Sequence, residues 1–105
     1  MKYYTYILLT NRNTLYTGIT TDVLRRFEEH KTSIKGAKYT KLNPPVEVLY
    51  VEEFENKSEA SKEEYRIKKT LTRAQKLRLI ENNKDKTAKL LKSFLNQQKS
   101  LNNIS

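Results

Sequence analysis

Two tyrosines, an arginine, the chain's single histidine and a glutamate stand where they could act together on a phosphodiester. Tyr16 lies in "LYTGIT TDVLRRFEEH" (Leu15 to His30), where a short strand pattern runs through Gly18 into a helix carrying Arg25, Arg26 and His30. Tyr6 lies upstream in "YYTYILL", and Glu64 downstream in "SEASKEEYRIKKTL". A carboxylate can hold a divalent ion that polarises a phosphoryl oxygen, and an arginine fork matches the negative charge that develops in the transition state. A positioned phenol or imidazole can handle a proton of the attacking water. Each residue alone has a plainer reading: Arg26 as a solvated helix arginine, His30 as a satisfied or surface histidine, the tyrosines as hairpin core, and Gly18 as a bulge or strand end.

Composition narrows the chemistry. There is no cysteine and one histidine, which excludes a disulfide framework, a thiolate zinc site and a histidine cluster. A metal would have to be a hard cation on carboxylate oxygen, with water and substrate completing its shell. The net charge is +9 over 105 residues, unevenly spread: residues 1–56 carry 8 Lys+Arg against 7 Asp+Glu, and residues 57–105 carry 13 against 5. Such a field favours a polyanion, of which nucleic acid is the commonest intracellular kind, although a lysine-rich solvated surface would read the same way. No apolar run approaches the roughly 18 residues of a membrane span. Met1-Lys2 leads straight into an alternating pattern without a signal core, so a cytoplasmic protein with no membrane contact is expected.

The elements that must position these groups are legible in outline. "YYTYILL" (Tyr3 to Leu9) and "LYTGI" (Leu15 to Ile19) are strand patterns joined by the turn cluster "NRNT". Alternation puts Tyr4, Tyr6 and Leu8 on one face of the first strand, and Tyr16 and Gly18 on one face of the second. Thr20-Thr21-Asp22 supplies cap residues for a helix with the apolar stripe Val23, Leu24 and Phe27. At about 100° per residue Arg26 and His30 share one edge of that stripe, whereas Arg25 points away. Thr32 to Pro45 reads as a long basic loop. "VEVLYVEEF" (Val46 to Phe54) is the strongest strand candidate, expected at the centre of the sheet with Val46, Val48 and Tyr50 on one face and Leu49 and Val51 on the other. Capping boxes at Asn56/Glu59 and Thr72/Gln75 open two further helices, and "TAKLLKSFLNQQ" (Thr87 to Gln98) repeats an amphipathic pattern before a frayed tail. In the first of these helices Ala60, Glu64, Ile67 and Leu71 fall on one stripe, which makes Glu64 a core-facing carboxylate in need of a cation, a metal or a raised pKa; Glu63, at the margin, is the alternative. The order implies an α+β domain with a three-stranded sheet covered by helices over residues 1–81, followed by a basic C-terminal helix and tail over 82–105.

The constellation resembles the GIY-YIG nuclease family, whose signature is two short tyrosine-bearing strand motifs, then a helix with an arginine and a later helix with a glutamate. Tyr6 takes the place of the first motif's tyrosine, with Tyr4 standing where the family writes glycine, and Tyr16-Thr17-Gly18 fills the second motif. Arg26 and His30 follow at the family's spacing, and "AKYT" (Ala37 to Thr40) and "EYRIKKTLTRAQK" (Glu64 to Lys76) look like the small stand-alone members similar to the nuclease domain of the excision-repair endonuclease. The resemblance covers Lys2 to Ile80 and implies a central three-stranded antiparallel sheet flanked by helices. It further implies that Tyr6 and Tyr16 position or deprotonate the nucleophilic water, that Arg26 stabilises the transition state, that His30 assists in proton transfer or substrate binding, and that Glu64 holds a single Mg²⁺ or Mn²⁺. Arg25, Lys35, Lys38, Lys41, Lys68 and Lys69 are the candidate contacts to a nucleic-acid partner, DNA ahead of RNA. The activity expected is divalent-metal-dependent endonucleolytic cleavage of DNA, in a repair or recombination setting. A non-cleaving nucleic-acid-binding module of the same fold is the alternative, and a basic protein that docks a partner through its C-terminal helix is a third reading.

Overall fold

The fold grows from a hairpin. In the computed structural model, which describes residues 1–32 and 44–104 with backbone alone for 99–104, β1 (Tyr3–Thr10) pairs antiparallel with β2 (Leu15–Thr20). Asn13 in the connecting turn has φ 61°, a left-handed conformation that asparagine tolerates, and the Thr10 and Thr14 hydroxyls hydrogen-bond at 2.6 Å across the turn base. Register places Tyr6 opposite Gly18 and Leu8 opposite Tyr16.

β3 (Pro45–Phe54) pairs with the other side of β1, giving the strand order β2-β1-β3 with all pairs antiparallel. This corrects two expectations. β1, not β3, is the central strand; β3 is apolar on both faces because helices cover both, not because strands flank it. The alternation along β3 is also broken. Ile7 lies opposite Tyr50 and Leu8 opposite Val48, so Leu49 is the extra residue of a bulge. Val48 and Val51 therefore join one face, Tyr50 goes to the other, and Val46 is exposed.

Four helices follow among the described residues: α1 (Val23–Thr32), α2 (Lys57–Thr70), α3 (Arg73–Asn82) and α4 (Lys84–Ile104). Their starts follow local chemistry. The Asp22 carboxylate accepts from the backbone N–H of Arg25, and Asn56 accepts from that of Glu59; Thr72 and Gln75 form a reciprocal capping box. None of these helices is long and apolar enough to cross a membrane.

Two cores lie on opposite faces of the sheet. One gathers Tyr4, Tyr6, Leu8, Val23 and Val51, packed by Tyr16, Phe27, Val48 and the α4 residues Leu90, Leu91 and Phe94. The other gathers Ile7, Tyr50 and Ile67, packed by Leu15, Leu71, Leu79 and Ile80. The buried Thr5 hydroxyl donates to the Ala60 carbonyl at 2.8 Å, pinning α2 to the central strand. α4 runs to Ile104, beyond the amphipathic stretch legible in the sequence, and is stitched to the sheet. Its Thr87 hydroxyl accepts from the Val51 N–H at 3.2 Å, which covers the outer edge of β3. Phe94 packs edge-on against Tyr4 with ring centroids 5.1 Å apart, so Tyr4 seats this helix on the sheet.

Candidate active site

β1, β2 and α1 converge on three rings. Tyr6 is 2% exposed and His30 is fully buried, with Tyr6 Oη 3.1 Å from His30 Nε2. The Tyr16 ring stands edge-on to His30, centroids 5.1 Å apart, and 6.5 Å from that of Tyr6. Tyr6 and Tyr16 share this face because they are two residues out of step on paired antiparallel strands, and His30 reaches it because α1 presents the edge that also carries Arg26. Gly18 makes room: a side chain there would start 2.5 Å from the Tyr6 hydroxyl.

Burial, with the nearby Tyr16 second, pushes the Tyr6 phenol well above its usual pKa, although Arg26 opposes this. Tyr6 is therefore a neutral hydrogen-bonding group. Burial, with the Arg26 charge second, pulls His30 down to about 4. Its imidazole is neutral at neutral pH. The Tyr6 oxygen thus stands between His30 Nε2 and the Arg26 guanidinium, which also acts on it.

Arg26 Nη1 is 3.1 Å from Glu29 Oε1, and both side chains are partly exposed. Arg25 is exposed, as the helix register predicts. Glu29 was not among the residues singled out from the sequence, yet its position three residues beyond Arg26 carries the signal: on a helix that spacing makes it the arginine's neighbour.

The adjacent glutamates Glu63 and Glu64 of α2 separate cleanly. Glu63 takes a two-pronged contact from Arg66, at 2.7 and 2.9 Å, and accepts from the Tyr50 hydroxyl at 3.1 Å. The hydrogen bonds from Arg66 are the main reason its carboxyl lies below the usual range, against the opposing pull of burial. Glu64 lies on the other side of the Ala60/Ile67 core stripe, where Lys68 Nζ is 3.3 Å from its Oε2 and 6.0 Å from the Tyr16 ring centroid. Its charge also bears on the Tyr6 hydroxyl. Since β2 is an edge strand, α2 reaches the tyrosines around that edge of the sheet.

The structure thus brings Tyr6, Tyr16, Arg26 and His30 into one cluster with Glu64 and Lys68 at its margin, in two layers. Tyr6 and His30 are buried behind, whereas Tyr16, Arg26 and Glu64 are partly exposed. Lys69 is exposed on α2 beyond them. Lys35, Lys38 and Lys41 lie outside the described residues. Two concavities lie elsewhere: one of about 210 Å³ between Tyr4, Val23 and Phe94, the other of about 360 Å³ between Val48, Ile80 and Leu91. Neither is lined by the cluster.

No group of three or more His, Cys, Asp or Glu among the described residues forms a metal cage. Glu64 instead fits a one-carboxylate site: its side chain is 25% exposed, leaving room for water and phosphate oxygens, as a hard cation requires. Glu63 is engaged by both Arg66 and the Tyr50 hydroxyl, and Glu64 by Lys68.

The family model described as the GIY-YIG catalytic domain matches residues 2–78. A UPF0213 protein of Oceanobacillus iheyensis is 54% identical over 80 residues, spanning 76% of this chain and 91% of the relative. Another from Staphylococcus haemolyticus is 51% identical over 80 residues, spanning 76% of this chain and 95% of its own length. The solution NMR structure of a UPF0213 protein from Bacillus halodurans superposes with a TM-score of 0.50 at 42% identity, covering 77% of this chain and 84% of that one. The matched family segment ends before α4 begins.

Proposed function

Because the chain belongs to the GIY-YIG family, we propose that it is a divalent-metal-dependent endonuclease that hydrolyses phosphodiester bonds in DNA. The observation that carries this reading is the Arg26–Tyr6–His30 chain behind Tyr16, with Glu64 alongside. Tyr16 and Arg26 are the groups that touch substrate. The Tyr16 hydroxyl orients the attacking water, and the Arg26 guanidinium leaves Glu29 to pair with the phosphoryl oxygens as charge gathers on them. Tyr6 and His30 are positioning residues: their hydrogen bond holds the face against which Tyr16 packs and sets the direction of Arg26. Glu64 would hold one Mg²⁺ or Mn²⁺, which when bound would supply electrostatic stabilisation of the phosphoryl oxygens.

The test is cleavage of branched, nicked and plain DNA by the purified protein with Mg²⁺ or Mn²⁺. Arg26→Ala, Tyr16→Phe and Glu64→Ala are each expected to remove the activity while leaving the fold intact by circular dichroism. Cleavage unchanged in all three would show that it originates outside this cluster.

The Lys68–Glu64 pair favours a second reading, a module that binds nucleic acid without cutting it. In that case Lys68 holds Glu64 permanently and the cluster contacts phosphate through arginine and lysine alone. Calorimetry separates the two: no heat of Mn²⁺ binding in the wild type, together with retained DNA affinity, selects the binder.

A further inference from the structure

Tyr65 is 63% exposed, an unusual place for a tyrosine on a helix whose core stripe, Ala60 and Ile67, faces elsewhere. Its neighbours on the helix surface at i−3, i+3 and i+4 are Lys62, Lys68 and Lys69, all exposed. The carboxylates of α2 lie away from this face: Glu63 is held by Arg66, Glu64 stands at the boundary with the candidate site, and Glu59 lies in the first turn, about 120° around the helix from Tyr65. At about 100° per residue the sequence around the helix from the core margin outward is Glu64, Lys68, Tyr65, then Lys69 and Lys62. Lys68 belongs to both neighbourhoods, since it is within 3.3 Å of Glu64 and 6.0 Å of the Tyr16 ring centroid. A flat aromatic ring is therefore presented to solvent inside a ring of cations, continuous with the cluster of Tyr16, Arg26 and Glu64.

We propose that Tyr65 is a stacking platform for an unpaired nucleobase beside the cleavage site, with Lys62 and Lys69 holding the phosphates on either side. The inference rests on nucleic acid being the ligand of the site. It deepens that reading by naming the substrate class: a strand with an exposed base next to the scissile phosphate, as in a flap, a gap or a single strand. A phenol ring has no donor pattern that reads base identity across its face, but every unpaired base has a π-face to lay upon it. In an intact duplex those faces are occupied by neighbouring bases, so the ring contributes nothing there and only the lysine contacts remain. Single-stranded DNA and RNA share this chemistry.

The experiment measures binding of the full chain by fluorescence anisotropy in EDTA, where cleavage does not interfere. The probes are single-stranded DNA, single-stranded RNA and blunt duplex DNA of one sequence. The wild type is expected to prefer the single strands. Tyr65→Ala weakens single-strand binding by about 5- to 150-fold and leaves duplex binding essentially unchanged, whereas Tyr65→Phe and Tyr65→Trp retain the preference. Lys69→Ala weakens all probes and lowers the salt slope by about one. The ratio of DNA to RNA affinity tells which strand the platform serves. Single-strand affinity unchanged in Tyr65→Ala, or an equal loss on every probe, overturns the proposal, as does wild-type preference for the duplex. Tyr65-dependent binding without metal-dependent cleavage leaves the platform standing and removes the endonuclease reading. Cleavage indifferent to Tyr65→Ala, with single-strand affinity also unchanged, does the reverse.

Discussion

The Tyr6 hydroxyl occupies the space that a side chain at Gly18 would need. The two residues are paired across β1 and β2, and a Cβ on Gly18 would lie 2.5 Å from Tyr6 Oη and 2.7 Å from Cζ. Gly18 does not have positive φ, so the glycine is required for lateral room and not for backbone conformation. Gly18→Ala is expected to cost about 1–3 kcal/mol by overpacking and to remove the His30 hydrogen bond by displacing the ring. Urea unfolding measures the first effect and the cleavage assay the second. Trimming the ring in Gly18→Ala/Tyr6→Ala should give a combined loss smaller than the sum of the single losses, as expected of two residues in contact.

His30 makes stability depend on pH in a defined direction. Its pKa falls from 6.5 in the free side chain to about 4 in the fold, chiefly through burial, so the unfolded chain binds the proton more readily. Stability is therefore full above 6.5 and is lost as pH falls toward 4, by on the order of 3 kcal/mol for this fully buried ring. Glu63, held below 4.5, adds its own loss at lower pH, which leaves the interval between 4.5 and 6.5 to His30. Denaturant unfolding across that interval should show the slope in the wild type and a flat response in His30→Gln.

Adjacent glutamates should respond oppositely to the same change. Glu63→Gln breaks the paired contact with Arg66 and disturbs the Tyr50 hydroxyl between Glu52 and Glu63, so stability drops by about 1–2 kcal/mol while cleavage persists. Glu64→Gln loses only a partly exposed ion pair with Lys68, so unfolding barely shifts while cleavage and Mn²⁺ binding are lost. Thermal unfolding alongside cleavage and calorimetry distinguishes them; reversed phenotypes would move the proposed metal ligand to Glu63.

α4 is expected to contribute to stability although it lies beyond the matched family segment. Phe94→Ala removes the edge-on partner of Tyr4 and should lower the unfolding free energy by about 2 kcal/mol, less than a fully buried phenylalanine because Phe94 is only half-buried. Urea titration reads this directly. Leu95→Ala, at an exposed position on the same helix, serves as the control and should shift little.

The chain's local order determined a good deal by itself. Alternation put Tyr4, Tyr6 and Leu8 on one face, cap residues at Asp22, Asn56 and Thr72 marked where helices begin, and the 3.6-residue period separated Arg26 from Arg25. These features follow from φ/ψ preferences and hydrogen bonds spanning a few residues, so sequence spacing is enough to read them. The same periodicity put Glu64 on the core stripe, but could not say that Glu63 would be claimed by Arg66 and Tyr50 and Glu64 by Lys68.

Only the tertiary structure decided what depends on residues far apart in the chain. It made β1 central and β3 an edge, because both β2 and β3 pair with β1 and α4 covers the outer side of β3. It turned Tyr50 to the Ile7 face through the bulge at Leu49, a register choice set by the pairing and invisible to alternation along one strand. It buried Tyr6 and His30 while leaving Tyr16, Arg26 and Glu64 within reach of solvent. Residue type and spacing identify which groups are able to meet; which of them are buried, paired or reachable is set by long-range packing, where the relevant neighbours are strands and helices that no local signal names.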